Sequence, residues 1–272
     1  INYDFEDYLI FENLDLRYTG SHGMGGANTN YIIVRDCDVS YIGGALNYPG
    51  GPRYGNGIEF WTHAKNIIVE RCKVSQCYDA GITFQDDADG YNTTGVTNHE
   101  NIIFRNNILI YNHYNFEIFH TCSSGTFKNI TIENNTCAWA GYGWSYAQRT
   151  SPKSTNFMLW NVDVTIDNCV LRNNIFLEAK EVGVWWWTAE ESGQWTVDYN
   201  SYYDSDGGRF ACRGPIENPT YYTVWATYVA GIGGGNETNG INSDPTVDAN
   251  YALIVGSPCI DDGVTTATVP TD

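Results

Sequence analysis

Short runs of alternating apolar and polar residues recur along this chain. They read Tyr8-LIFENLDL, Tyr31-IIVRDCDV, Asn66-IIVERCKV, Asn101-IIFRNNILI, Asn129-ITIENNTC, Asn168-CVLRNNIFL and, more weakly, Gln194-WTVDYNSYY. Each alternates over about five positions and is rich in Ile, Val and Phe, the signature of a half-buried strand. No stretch carries a capped 3.6-residue period, so helices are not expected to build the fold.

The sixth residue of each copy (Asn13, Asp36, Arg71, Asn106, Asn134, Asn173 and Tyr199) sets intervals of 23, 35, 35, 28, 39 and 26 residues. Such intervals are too long for tight hairpins, and they lack the crossover helices that a flat parallel sheet needs. The remaining solution is a coil in which each repeat makes one turn of a solenoid. Equivalent strands then stack in parallel about 4.8 Å apart, and loops absorb the variation in length.

Alternation assigns the interior. Ile130 and Ile132 should face inward, and Asn135 should follow them past a bend. Its equivalents are Leu14, Cys37, Cys72, Asn107, Asn174 and Asn200. Stacked amides at a bend satisfy both the backbone and one another, so Asn107, Asn135, Asn174 and Asn200 read as structural. Cys37 and Cys72 share a rung on adjacent coils, at a spacing that suits either a disulfide or two stacked buried thiols. Cys212 and Cys259 are candidates for tying back the tail.

These stacked NIxIxNN strands resemble the right-handed parallel β-helix superfamily, the pectate-lyase-like and right-handed β-helix repeat proteins, over roughly residues 8–203. The tail Asn242-SDPTVDANYALIVGSPCIDDG resembles the segment that closes many secreted bacterial members. The resemblance implies an all-β, single-stranded parallel β-helix over residues 1–204, with a loop-rich segment over 205–272 packing on it or closing it. It is silent on activity, because the superfamily spans lyases, hydrolases, epimerases, tailspikes and adhesins.

A second set of strands carries the candidate chemistry: Gly57-IEFWTH, Gly81-ITFQDD, Asn115-FEIFHT, Gly143-WSYAQR and Gly183-VWWWTA. Ile58, Ile82, Phe116, Trp144 and Val184 align as core. The opposite face then carries Glu59, Thr83, Glu117, Ser145 and Trp185 in one file, with Trp61, Gln85, Phe119, Ala147 and Trp187 in the next. Aromatic platforms beside polar groups suit sugar rings, so Trp61, Gln85, Phe119, Trp185 and Trp187 are the candidate substrate-binding residues. Glu59 and Glu117 lie two coils apart, roughly 9.6 Å between backbones by strand spacing, within side-chain reach of an inverting glycosidase pair. Asp86, Asp87 and His120 at strand ends, and Arg149 as the basic group, complete the catalytic candidates. The bland reading of each is surface or turn. His63 and His113 read likewise.

Composition narrows the partners. A net charge of −18 argues against nucleic acid. No apolar run reaches the roughly 18 residues of a membrane span. Few Lys residues disfavour a lyase, which needs a strong base and cations to neutralise a uronate. Asp86-Asp87-Ala88-Asp89-Gly90 offers carboxylate oxygens to Ca²⁺ without EF-hand spacing; an Asp/Gly turn is the first reading, and no cofactor is expected. Eight cysteines fit an extracellular setting better than the cytosol. Four Asn-X-Thr triplets permit glycosylation, although an Asn-rich chain generates such triplets by chance. The start at Ile1 fits a removed leader or an excerpt, and open solenoid ends invite end-to-end self-association.

Two readings follow. One is a secreted polysaccharide-cleaving enzyme, a hydrolase of neutral or weakly charged polymer before a lyase. The other is a non-catalytic adhesin, glycan-binding module or filament subunit.

Overall fold

A computed structural model describes residues 1–87, 91–149, 153–160, 164–188, 194–215, 218–233 and 236–265. The chain winds a right-handed parallel β-helix with three sheets along its length. The first sheet stacks Asp7–Glu12, Asn30–Arg35, Lys65–Glu70, Val96–Arg105, Ser124–Glu133, Val170–Arg172 and Thr196–Asp198, with Thr165–Asp167 joining at Ser124–Glu133. The second runs from Asp15–Thr19 through Asp38–Ile42, Lys73–Cys77, Ile108–Ile110, Thr136–Ala140 and Ile175–Ala179 to Ser201–Tyr203. The third stacks Met24–Ala27, Ile58–Trp61, Ala80–Asp86, Tyr114–His120, Thr155–Trp160, Val182–Trp186 and Ala211–Arg213, and ends on the antiparallel strand Thr220–Tyr222.

The period-two pattern becomes columns. Ile32, Ile67, Ile102 and Ile130 pair in succession and are fully buried. In the third sheet Met24, Ile58, Ile82, Phe116, Phe157 and Val184 do the same. Each such side chain contributes about 1.5–3 kcal/mol by leaving water.

Corners explain the Asn-Asn pairs. Asn13, Asp36, Arg71, Asn106, Asn134, Asn173 and Tyr199 all adopt left-handed backbone, with φ between 52° and 59°. Asn and Asp reach that region more cheaply than most residues. The chain thus turns on the first residue of the pair and sends the second inward. Asn135 Nδ2 donates to the Phe104 carbonyl at 3.0 Å and to Asn174 Oδ1 at 2.9 Å, while its own Oδ1 accepts from Asn107. Asn174 bonds Asn200 in the same way. A second, outer ladder links Asn30, Asn66, Asn101, Asn129 and Asn168.

Cys37, Cys72, Cys212 and Cys259 are free thiols. Cys37 and Cys72 therefore stack as buried thiols, and neither they nor Cys212 and Cys259 form the disulfide considered from sequence. The tail covers the last coil: Glu237 N–H donates to the Val197 carbonyl, and Ile241 bridges Ser201. That end is occupied, so direct stacking of another coil there would have to displace the tail. The opposite edge leaves Tyr8 and Tyr18 about three-quarters exposed, each stacked on the Tyr of the next coil. Among the described residues no helix is long and apolar enough to cross a membrane.

Candidate functional site

The third sheet turns its outer face toward a cleft of about 950 Å³. Strand pairing places Gly25, Glu59, Thr83, Glu117, Met158 and Trp185 in one file, and Ala27, Trp61, Gln85, Phe119 and Trp160 in the next. Loops wall the cleft, so Glu59 and Glu117 are only 6% and 7% exposed although they point away from the core. An outward Glu on a bare sheet would be solvated; these two are held in a recess.

Each carboxyl has its own partner. Gln85 Nε2 donates to Glu117 Oε2 at 2.8 Å. Burial pushes the Glu117 carboxyl well above the usual range; the Asp79 charge adds, Arg149 opposes, Glu59 adds, and the Gln85 hydrogen bond opposes. The net shift favours the protonated acid at Glu117. Glu59 meets His22 Nδ1 in a short contact. Burial draws the His22 pKa down, but the Glu59 hydrogen bond and charge outweigh it, with help from Asp79, and the net shift is upward. The Tyr3 ring fills the space over Gly26, where a Cβ would come within 2.1 Å of it, and its hydroxyl donates to the Glu59 carbonyl at 3.0 Å.

Arg149 also reaches the cleft. Its guanidinium bonds Asp79 Oδ1 at 2.7 Å and lies 5.5 Å and 5.4 Å from the ring centres of Tyr78 and Tyr114. It arrives from a loop, which corrects the alignment of Gly143-WSYAQR as a strand. Tyr146–Gln148 is a 3₁₀ turn, and Ser145, Ala147 and Arg149 lie off the sheet. A side chain at Gly143 would strike the Tyr111 carbonyl at 2.0 Å, so the segment packs as a loop. Thr155–Trp160 holds that rung instead. Its Asn156-Phe-Met-Leu-Trp repeats Asn115-Phe-Glu-Ile-Phe, the sequence signal that marks this rung.

The other candidates divide. Trp61 and Phe119 line the cleft half-buried, with Trp160 beside them at 6.2 Å from Phe119. Trp187 stacks on Trp160 at 4.5 Å, one coil further along. Asp87 reaches the cleft rim and accepts from the Thr121 hydroxyl in a short contact. Asp86 and His120 do not face the cleft: they pair across the sheet on inward positions and are fully buried. Asp86 Oδ1 accepts from Thr62 at 3.1 Å and Asn92 at 2.8 Å, inside the solenoid. Trp185 is likewise withdrawn: it is 1% exposed and donates to the Gly214 carbonyl, under the segment that follows residue 205. Of the Asp86–Gly90 stretch weighed for Ca²⁺, residues 88–90 lie outside the described residues. Among the described residues no group of three or more His, Cys, Asp or Glu is placed to hold a metal. His22, Asp79, Tyr114, Met158 and Trp160 were not anticipated; the first two come from loops with no local motif.

Neither a curated protein nor a solved structure matches the chain. A family model does match, over residues 1–157, with the description right handed beta helix region. With more than half of its length matched and the coil built as described, the chain belongs to the right-handed β-helix family.

Proposed function

We propose that the cleft binds and hydrolyses a polysaccharide, with Glu117 as general acid and Glu59 as the carboxylate that activates water. The observation that carries this reading is the contrast between the two carboxyls: Glu117 is buried beside Gln85 with its pKa pushed up, whereas Glu59 is matched by His22. Glycoside hydrolysis requires such a division of roles between neighbouring carboxyls. The two lie in one file two rungs apart, roughly 9.6 Å at the backbone by strand spacing, within side-chain reach of the separation an inverting pair uses. Trp61, Phe119 and Trp160 supply apolar faces for sugar rings along one wall. His22 orients Glu59, and Arg149 is held by Asp79 at the far side. The steps use no cofactor, and a polymer substrate places the protein outside the cell.

The test is release of reducing ends from a polysaccharide panel. Glu117→Gln and Glu59→Gln should each lower turnover by roughly a hundredfold or more, the usual contribution of a positioned proton-transfer group. Unchanged turnover in both variants would remove the hydrolase assignment. Retained glycan binding without turnover in the unmodified protein would favour the non-catalytic reading.

A further inference from the structure

The cationic groups of this cleft are nearly all spoken for. Arg149 is bound to Asp79 and His22 to Glu59. Among the described residues no Lys lines the walls. Among the described residues the remaining rim carboxylates receive neutral donors: Asp4 takes the Ala27 N–H, the Asn2 amide and the Tyr91 hydroxyl, and Asp87 takes Thr121. A sugar carboxylate entering here would meet Asp4 and Asp87, with no unmatched cation among the described residues to offset its desolvation.

We infer that the cleft takes an uncharged glycan and turns uronates away, and that Asp79 sets this preference by occupying Arg149. The inference rests on the proposal that the cleft is a glycan site. Arg149 is sandwiched between Tyr78 and Tyr114 and is about one-fifth exposed, so a fork able to grip a carboxylate bidentately stands in the wall. Asp79 Oδ1 takes one arm of that fork, Nη1, which also reaches the Tyr78 carbonyl at 3.5 Å, and its charge offsets that of the guanidinium. Its other hydrogen bonds are backbone ones, its N–H to the Gly55 carbonyl and its carbonyl from His113 and Tyr114, which an Asn at the same position preserves. Asp79 is thus a specificity-determining residue that acts through Arg149.

Binding by calorimetry, read on the Glu117→Gln background so that nothing is cleaved, separates this inference from the hydrolytic one. The probes are oligogalacturonate and neutral oligosaccharides from β-glucan, xylan and galactan, matched in length. The Glu117→Gln protein should hold one of the neutral probes about tenfold or more tighter than oligogalacturonate, a tenfold step being what one exposed charge contact supplies. Adding Asp79→Asn should raise oligogalacturonate affinity about tenfold and make it salt-sensitive, and further Arg149→Gln should abolish the gain. Equal affinity for acidic and neutral probes before Asp79 is changed would overturn the inference. So would an unchanged preference in the Asp79→Asn protein, whose folding is checked by its thermal midpoint. Neither result bears on turnover, which the Glu117→Gln and Glu59→Gln assay decides separately.

Discussion

Gln85 on one coil donates its side-chain amide, at 2.8 Å, to the carboxyl of Glu117 on the next. Strand pairing sets this contact: Gln85 faces Phe119, Thr83 faces Glu117, and the amide leans along the strand to reach the acid. The bond favours the ionised carboxylate and so opposes the burial that raises the Glu117 pKa.

That opposition has a sign that kinetics can read. If Glu117 acts as the acid, activity falls as pH rises through its pKa. Gln85→Leu removes a donor to the ionised form, which raises the pKa further. The alkaline limb of the pH–rate profile should therefore move to higher pH by up to about one unit, the worth of one hydrogen bond. A limb that stays in place would show that the acid is another group.

Phe119, Trp160 and Trp187 form a row of rings at one position on three successive coils, with centroids 6.2 Å and 4.5 Å apart. A glycan lying along the solenoid axis would stack on this row beyond the carboxyls. Trp160→Ala should raise KM about fivefold for long oligosaccharides, from the loss of roughly 1 kcal/mol of ring contact, and leave kcat nearly unchanged. The measurement is KM against chain length; an equal rise for dimers would place Trp160 at the reacting ring instead.

The coil was legible because burial alternates with period two and each turn repeats the same corner. Ile130, Ile132 and Asn135 lie inward as read, and the Asn107 to Asn200 ladder forms as expected. The site was legible only where a strand carried it. Glu59, Trp61, Gln85, Glu117 and Phe119 face one cleft because the alternation could be counted. Asp86 and His120 lie on the side away from the cleft, because the same count places them inward with Ile82, Phe84 and Ile118. His22, Asp79 and the true path of Arg149 depend on loop packing, which no short-range pattern encodes.

The inner amide ladder should be costly to interrupt. Asn135 is 1% exposed and serves the Phe104 carbonyl, the Asn107 N–H and the amides above and below. Asn135→Ala leaves those groups without partners in a site closed to water, and should cost about 2–4 kcal/mol. Asn168→Ala, at the exposed end of the outer ladder, should cost about 1 kcal/mol, because water replaces the lost bond. Urea unfolding of both variants provides the comparison, and equal losses would show that the inner ladder is not what holds the coils in place.

At the tail-covered end a carboxyl replaces the next amide. Glu237 accepts from Asn200 Nδ2 at 2.9 Å and from the Tyr202 hydroxyl at 2.6 Å, and it is 1% exposed. Burial pushes its pKa up to about 7, against the pull of the Tyr202 and Asn200 hydrogen bonds. An unfolded Glu releases its proton near pH 4.3. Between that value and about 7 the native state holds a proton that the unfolded chain has lost, so stability falls as pH rises through this window and levels off above it. Buried Glu117 acts in the same direction. Burial holds His99 at about 3 and His113 at about 2, and these act oppositely, lowering stability as pH falls below the ordinary histidine value. The whole-protein curve therefore mixes both signs, and only a difference isolates Glu237. Glu237→Gln should gain on the unmodified protein, by on the order of 2–3 kcal/mol, as pH climbs from 4.5 to about 7, with no further gain above. Denaturant titrations across that range would refute the assignment if the two stability curves ran parallel. A gain confined to the window would identify the tail carboxyl as the group whose deprotonation loosens the cap from the last coil.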